Sequence, residues 1–347
     1  EITYGDWSSD VCSSDLGAGY ATAHFGKWHL GHGVGAPTPA EYGFDVSKVV
    51  NGSGPRLGDE SGDPSFRAKS TALIMDETIA FLRANRERPF FVNAWTLLPH
   101  AKLNPTAEQL SGYAGLQPRS DDPAFGGWMQ KYLGQAKSLS DQMQVYCASL
   151  SDLDEQVGRL LNVLDELGLA ENTVIFYSSD NGPEDYRVGN ASNAGVGSTG
   201  VLRGRKRSMY EGGIRTFGLV RWPGHVPAGR VDGVSVTGGV DLLPTVCGLA
   251  GVQLPAEQAV DGEDVSDIWL GAKRERREPL YWEWLFSVQG AADGYLPPPL
   301  AMRYGDWKLF ADHRGERLQL YNVVADPSEQ RDVLAEQPVL AEHLKKR

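Results

Sequence analysis

The chain has 347 residues, and its hydrophobic content of 41% is typical of a globular protein with a sizeable core, built as one large or two modest domains. Its net charge of −12 argues against a nucleic-acid backbone as partner, and it allows an anionic substrate only where cations cluster locally. The sequence has no apolar run long enough to span a bilayer and no signal peptide at its start.

Residues 1–16 differ in character from the rest of the chain. They contain a near-repeat of Ser-Ser-Asp with no helical or strand periodicity, and they run directly into a well-formed motif. We expect this segment to be foreign to the protein, so the missing signal peptide says nothing about export. Cys12, Cys147 and Cys247 follow no metal-ligand spacing, and the last two lie in apolar contexts that predict core residues.

The glycine-rich stretch at residues 20–32 carries the first candidate site. Lys27 and His29 are two residues apart, and Gly26 and Gly31 flank them. In an extended segment these two side chains point to the same side, where a cation and an imidazole suit an oxyanion such as sulfate or phosphate. The glycines would let the backbone approach the anion closely. A surface lysine beside a buried structural histidine on a glycine-rich turn is the alternative interpretation.

A loop, a helix and a strand follow in the predicted order. The expected elements are a long loop at 31–64, a helix at 65–85, a strand at 90–96 and an irregular segment at 101–137. The helix has Ile74, Thr78, Phe81 and Leu82 on one face. His100 comes just after the carboxyl end of the strand.

The clearest predicted helix spans about residues 140–167. Apolar side chains recur there at three- and four-residue steps, and Gly168 follows as a C-terminal stop. Residues 173–178 are typical of a buried strand, and Asp180 and Asn181 follow it. This alternation of strand, polar loop and helix predicts an α/β sheet, which binds ligands beyond the carboxyl ends of its strands.

A glycine-rich loop at 189–200 leads into a basic run at 202–207, which contains Lys206, and then to Glu211. The elements expected beyond it are a strand at 217–222, a helix at 241–251, a charged connector at 273–278, strands at 280–286, 301–310 and 318–323, and a helix at 327–347. We therefore predict one domain at 17–272 and a small, mostly antiparallel α+β module at 273–347.

Each candidate residue also has a plainer structural interpretation. Asp180 and Asn181 offer oxygen donors that suit a hard cation such as Ca²⁺ or Mg²⁺, but two donors do not complete a site. The sequence Asp-Asn-Gly also forms tight turns or caps helices. His100 is equally consistent with an ordinary loop histidine, and the run around Lys206 with a solvated basic face. Glu211 is predicted to be an ion-pair or capping residue rather than a catalytic acid.

Taken together and in this order, four blocks resemble the signatures of the sulfatase family. They are Gly19-Tyr-x-Thr-x-x-x-Gly-Lys-Trp-His-Leu-Gly31, Pro89-Phe-Phe with Pro99-His100, Ser179-Asp-Asn-Gly182, and Leu202-Arg-Gly-x-Lys206 with Glu211-Gly-Gly-Ile-Arg215. The similarity runs from Gly17 to the C-terminus and includes Gly305-Asp-Trp-Lys308 in the terminal module. Bacterial arylsulfatase and N-acetylgalactosamine-6-sulfatase-like members are the most similar.

This resemblance implies an alkaline-phosphatase-like α/β/α sandwich with a small C-terminal α+β subdomain. It also implies hydrolysis of sulfate esters by a formylglycine nucleophile, made from Cys or Ser, beside one Ca²⁺ ion. A periplasmic or secreted location follows from the same resemblance. Carried over by position, Asp180 and Asn181 would be metal ligands, and Lys27 and Lys206 would be the cations that bind sulfate. His100 would contact sulfate or protonate the leaving alcohol. His29 would act as the base in sulfate release.

The sequence departs from the family at its start. The nucleophile motif Cys/Ser-x-Pro-Ser-Arg and the upstream Asp-Asp pair, which both belong before Tyr20, are absent. Cys12 is not followed by the required Pro and Arg, and it is too close to Lys27. We therefore expect the chain as written to be inactive, to lack one interior strand, and to be poorly soluble or incompletely folded.

Two other functions remain open from the sequence. One is a phosphoester hydrolase of the same fold, and the other is a non-catalytic anion-binding protein. A sulfated carbohydrate is the expected substrate, and the oligomeric state is undetermined. Aromatic side chains that either stack on sugar rings or pack internally are Trp128, Tyr132, Tyr186, Trp282, Trp284 and Tyr295.

Overall fold

A three-stranded parallel sheet carries the first sequence motif on its central strand. The computed structural model describes residues 18–31, 35–58, 62–133, 138–184, 192–254, 259–285 and 296–347. In the order β2-β1-β3, the strands of this sheet are β1 (Ala21–Lys27), β2 (Val46–Val50) and β3 (Phe90–Trp95). Every residue of β1 before Lys27 is buried, as expected of an inner strand that is covered on both faces.

The prediction of an unbroken loop at 31–64 is wrong, because β2 lies within it. Val49 and Val50 of this strand are buried, and the strand pairs in parallel with β1 so that Lys27 lies opposite Val50. A short 3-10 turn at Pro39–Tyr42 precedes it. A strand of 5 residues that contains Ser and Lys is too short to stand out from a surrounding segment rich in Gly and Pro.

Two long helices pack on one face of the parallel sheet. They are α1 (Phe66–Ala84) and α4 (Leu139–Glu166), and both agree with the predicted helices to within one residue at each end. Ile74 and Phe81 of α1 pack against Phe25 of β1, so the predicted apolar face of this helix is confirmed. The other helices of the described ranges are α2 (Ala107–Ser111), α3 (Gly126–Leu133), α5 (Glu211–Ile214), α6 (Leu242–Ala250), α7 (Ser266–Trp269) and α8 (Pro338–Lys345).

Helices α2 and α3 correct the prediction of an irregular segment at 101–137. Each is short, so neither shows the repeated apolar spacing by which a helix is recognised in a sequence. Thr106 caps α2 by accepting a hydrogen bond from the backbone nitrogen of Gln109 at 3.2 Å. Helix α6 forms as predicted and ends at Gly251, whose φ of 70° is the left-handed value that favours glycine at a helix end.

A second sheet pairs β4 (Ile175–Ser178) with β5 (Gly218–Arg221) in antiparallel orientation. Both strands were predicted, but their mutual pairing was not. Within the described ranges, β3 and β4 each pair with a single strand, and each therefore has an open hydrogen-bonding edge. Phe176 of β4, Leu219 of β5 and Phe217, which precedes β5, are exposed.

The last sheet contains four antiparallel strands in sequence order. They are β6 (Leu280–Glu283), β7 (Leu300–Tyr304), β8 (Trp307–Ala311) and β9 (Gln319–Asn322). The prediction of one strand at 301–310 is wrong, because the chain reverses at Gly305, whose φ is 57°. Apolar residues run through both arms of this hairpin, so hydropathy alone joins them into one segment.

The helix predicted at 327–347 is confined to α8. Before it, the Asp326 carboxylate accepts hydrogen bonds from the backbone nitrogens of Gln330 and Arg331, each at 2.8 Å. Glu329 also has a φ of 49°. A non-glycine residue in this conformation interrupts a right-handed helix, so the first half of the tail forms a tight loop instead.

Several predictions fall outside the described residues or concern single side chains. Residues 1–16, including Cys12, belong to the part that is not described. Cys247 is buried, as predicted for a core residue, whereas Cys147 is half-buried. Among the helices of the described ranges, none combines the length and apolar character needed to cross a bilayer.

Beneath the first motif, His24 occupies a cage of aromatic rings. Its ring centroid lies 4.8 Å from that of Trp28, 4.9 Å from that of Trp95 and 5.5 Å from that of Phe44. Burial lowers the pKa of His24 from 6.5 to about 3, against a smaller opposing effect of the Lys27 backbone. The buried structural histidine that the sequence left as an alternative is therefore His24, and not the exposed His29.

Acid should destabilise the fold through His24. Between pH 6.5 and about 3 the unfolded chain binds a proton that the folded chain excludes, so stability falls as pH falls through this window. We expect this residue to remove about 1.4 kcal/mol of unfolding free energy per pH unit, measured by urea denaturation at several pH values. The His24→Phe variant should show a correspondingly smaller slope, and exposed His343→Gln should not. Equal slopes in the wild type and His24→Phe would contradict the assignment.

Candidate functional site

Strand β1 ends at the first candidate residue. The indole of Trp28 is fully buried, its Nε1 donates to Pro37 O at 3.0 Å, and its backbone nitrogen donates to Val50 O at 2.9 Å. This anchor fixes the end of β1, and half-buried Lys27 and exposed His29 flank the buried indole. The Leu30 nitrogen donates to Trp28 O, so the chain turns at His29 and is not extended there.

Gly26 has a different role from the one expected. A Cβ at this position would lie 2.0 Å from Trp95 O on β3, so the glycine allows close strand packing and not an approach to an anion.

His100 lies beyond the carboxyl end of β3. Its backbone nitrogen donates to Leu97 O at 2.9 Å, and its Nδ1 lies 2.7 Å from Ala101 O. Because a carbonyl oxygen only accepts, Nδ1 carries the hydrogen, and Nε2 is the atom that can take up a proton.

The pKa of His100 is held below 6.5 mainly by burial, and then by the positive charges of Lys206, Lys27 and Arg67. Its hydrogen bond to the Ala101 backbone opposes this effect. Three cations therefore lie close enough to act on this imidazole, although they come from three separate parts of the chain.

Lys206 lies in the loop between β4 and α5. Its backbone nitrogen donates to Pro183 O at 2.9 Å, which fixes the loop beside the turn that follows β4. Burial lowers the pKa of Lys206, the carboxylates of Glu184 and Asp180 raise it, and the charge of Lys27 lowers it. Lys206 thus faces both the predicted metal turn and the first motif.

The Asp180–Asn181 turn follows β4 directly. Asp180 is exposed, and the Asn181 side-chain amide nitrogen donates to Gly182 O at 2.7 Å, so the Oδ1 is the atom that a cation would use. Residues 179–184 are not helical, which rules out the alternative of a helix cap. Gly182 packs against α5, where its nitrogen donates to Gly213 O at 2.9 Å and a Cβ would lie 1.9 Å from Gly212 O.

The oxygen donors of this turn have the chemistry that Ca²⁺ or Mg²⁺ requires, since both ions prefer carboxylate and amide oxygens. They do not form a complete site by themselves. In the part of the chain that the structure describes, no three His, Cys, Asp or Glu side chains come together as a metal cluster. Asp180 and Asn181 fit a hard cation as two of its ligands, and further ligands are required.

The basic run does not form a solvated face. Arg205 is 1% exposed, and it donates to Glu184 O and Gly195 O at 2.8 Å each and also to Gly197 O. Arg207 is paired with the Glu184 carboxylate. Arg203 lies 3.8 Å above the ring of Tyr210 and donates to Glu329 O at 2.9 Å. These three arginines have structural partners, whereas Lys206 is the member of the run that acts on His100.

Sequence reasoning missed Arg67. It is the second residue of α1, and its positive charge acts on His100. One signal was available, because a cation in the first turn of a helix opposes the helix dipole and calls for a compensating role.

The other functional predictions have simpler outcomes. Glu211 forms a buried ion pair with Lys308 at 2.9 Å, as predicted. Trp282 and Trp284 pack against a core that contains Met209 and Tyr210, which supports internal packing at these two positions. The side chains of Trp128 and Tyr132, and residues Tyr186 and Tyr295, lie outside the described part.

The fold defines a protein of the alkaline-phosphatase-like α/β class, and the positive charges of Lys27, Arg67 and Lys206 act on His100 within it. The sulfatase family model matches residues 17–252, and a model for the C-terminal part of N-sulphoglucosamine sulphohydrolase matches residues 204–347. The chain belongs to the sulfatase family. The family resemblance and the fold class expected from the sequence are confirmed.

Characterised relatives are similar over part of their length. Steryl-sulfatase of Mus musculus is 36% identical over 212 residues, which cover 61% of this chain and 29% of that protein. Arylsulfatase A of Homo sapiens is 31% identical over 277 residues, or 76% of this chain and 52% of that protein. N-acetylgalactosamine-6-O-sulfatase of Bacteroides thetaiotaomicron is 27% identical over 306 residues, which cover 85% of this chain and 54% of that protein. The chain thus spans about half of these relatives or less.

Solved structures show the same fold at lower identity. Ps i-CgsB, in complex with k-i-k-neocarrahexaose, has a TM-score of 0.72 and 23% identity, and covers 98% of this chain and 73% of its own. BT4656, in complex with its substrate D-glucosamine-2-N,6-O-disulfate, has a TM-score of 0.66 and 21% identity, with 99% and 82% covered. The phosphonate monoester hydrolase SpPMH from Silicibacter pomeroyi has a TM-score of 0.63 and 19% identity, with 96% and 77% covered.

The charge coupling of Lys206 to His100 gives a direct test of this geometry. We expect Lys206→Met to raise the pKa of His100 towards its ordinary value, because a nearby positive charge is lost. The measurement is an NMR titration of the histidine ring resonances. Lys48→Met is the matched control, since Lys48 of β2 pairs with Glu77 of α1 and is not among the charges that act on His100. An unchanged pKa of His100 in Lys206→Met would show that the charge of Lys206 does not act on His100.

Proposed function

We propose that this chain forms the sulfate-binding part of a sulfuric ester hydrolase that acts on sulfated carbohydrates. The observation that carries the proposal is the convergence of Lys27, Lys206 and His100 beside the Asp180–Asn181 turn. Lys27, Lys206 and Arg67, the cations that act on His100, come from three separate segments and repel one another, so their convergence is favourable mainly when an anion lies among them. The proposed division is a catalytic domain at 17–272 and a terminal subdomain at 273–347.

Lys27 and Lys206 are the proposed ligands of the sulfate oxygens. Each ammonium group would donate charge-assisted hydrogen bonds and offset the negative charge that develops on the transferred group. A Ca²⁺ ion held by Asp180, Asn181 and further ligands would, when bound, add neutralising charge next to the same oxygens.

His100 is the proposed proton donor to the leaving alcohol. Its lowered pKa keeps the imidazole neutral near pH 7 in the free protein. An anionic ester bound beside it favours the protonated form, so binding of substrate would charge Nε2 for transfer to the leaving oxygen. His29 is the proposed base for the later release of sulfate.

The nucleophile is proposed to be formylglycine, made from a Cys or Ser in a motif that these 347 residues do not contain. Turnover therefore needs additional sequence, and the open edges of β3 and β4 are suitable places for a strand that would carry it. Inactivity and poor folding of the chain as written remain predictions. The proposed location, periplasmic or secreted, follows from the family.

The activity is tested best on the full gene product that contains this chain. We expect it to hydrolyse an aryl sulfate faster than the matching aryl phosphate, and chelation of divalent cations should abolish turnover. Lys206→Met should lower kcat/KM by about 10²–10³, the usual effect of removing one group that stabilises the transition state. Lys48→Met should leave it unchanged.

Two results would overturn the proposal in different ways. Faster phosphate turnover, or indifference to chelation, would indicate a phosphoester hydrolase of the same fold. Absence of turnover with retained binding of inorganic sulfate, measured by calorimetry, would indicate a non-catalytic anion-binding protein.

A further inference from the structure

A buried cluster of charges joins the terminal sheet to the loop that carries Lys206. The Nζ of Lys308 on β8 lies 2.9 Å from Glu211 Oε1 and 3.1 Å from Glu329 Oε1. All three residues are at most 1% exposed. The guanidinium of Arg303 on β7 approaches Glu211 Oε2 at 3.5 Å. Burial of so many charges is costly unless their geometry is satisfied, so the cluster tolerates little displacement.

The cluster fastens three segments that are far apart in the sequence. Glu211 begins α5, Lys308 lies on β8, and Glu329 belongs to the loop after β9. Glu329 Oε2 accepts a hydrogen bond of 2.6 Å from the Glu211 backbone nitrogen, and Glu329 O accepts one of 2.9 Å from Arg203 Nη1. Glu329 thus holds both ends of the segment 203–211, in which Lys206 lies.

The same segment is fixed on its other side to the proposed metal turn. The Lys206 nitrogen donates to Pro183 O, and the Gly182 nitrogen donates to Gly213 O, each at 2.9 Å. There is no room for a side chain in this contact, because a Cβ at Gly182 would lie 1.9 Å from Gly212 O. A shift of α5 is therefore transmitted through backbone contacts to Lys206 and to the turn.

We propose that Lys308, together with Glu211 and Glu329, is a positioning group for the oxyanion pocket, holding the Lys206 loop against the Asp180–Asn181 turn. This proposal rests on the proposed function of that pocket. It makes the terminal sheet a required part of the anion site, although none of the three residues contacts the anion.

A second buried pair provides a matched control. Arg276 donates a hydrogen bond to Asp241, and their side chains are 4% and 1% exposed. Neither residue belongs to the segments that carry Lys206 or Asp180. Arg276→Met removes a buried cation from an ion pair just as Lys308→Met does. A purely structural role of Lys308 predicts the same outcome for both variants.

The test combines calorimetric titration with inorganic sulfate and the NMR titration of His100, both on the full gene product. Lys308→Met should weaken sulfate binding at least about tenfold, as expected when a charge-assisted contact is misplaced. It should also move the pKa of His100 towards its ordinary value, because Lys206 is displaced. Folded Arg276→Met should change neither quantity.

A milder variant keeps the test decisive if Lys308→Met does not fold. Glu329→Gln retains an acceptor for the Glu211 N–H and removes a carboxyl group whose pKa burial raises to about 7. It should change both quantities in the same direction by a smaller factor. Wild-type sulfate affinity and an unshifted His100 in a folded variant of Lys308 or Glu329 would overturn the positioning role. Failure of the wild type to bind sulfate, with the His100 shift still present, would instead refute the proposed function alone.

Discussion

The close backbone contact between Gly182 and Gly212–Gly213 is the constraint on which the candidate site depends. It brings the turn after β4 to the start of α5 with no side chain between them. Any residue other than glycine at position 182 would force the two segments apart, since an added Cβ would lie 1.9 Å from Gly212 O. Asp180 and Lys206 therefore remain neighbours, and one charge can influence the other.

The parts of the fold predicted from the sequence are those whose signal lies within one element. The apolar spacing of α1 and α4 follows from burial of one helix face, and the positions of β3 and β4 follow from short apolar runs that precede polar turns. Strand β2 and the β7–β8 hairpin were missed because their definition depends on pairing partners. No local pattern contains that information.

The site shows the same division between local and tertiary information. The residue types at Lys27, His100, Asp180 and Lys206 indicated anion and cation chemistry, and the electrostatics agree that these side chains act on one another. Their individual roles stay predictions. The place of Arg67 in the first turn of α1 is a local signal, but its relation to His100 arises only when α1 packs beside β3. The structural roles of Arg205 and Lys308 depend in the same way on partners distant in sequence.

Charge balance indicates what Asp180 and Asn181 would lack as the proposed metal ligands. Lys27, Lys206 and Arg67 already place three positive charges around His100. A divalent cation at the turn would add two more, against the carboxylate of Asp180 and that of Glu184, which is itself paired with Arg207. One sulfate ester supplies only one negative charge. Since like charges repel one another strongly in a partly buried site, we expect the further ligands to include carboxylates. A neutral ligand set would leave the cation and the lysines in mutual repulsion, and the pocket would not hold both.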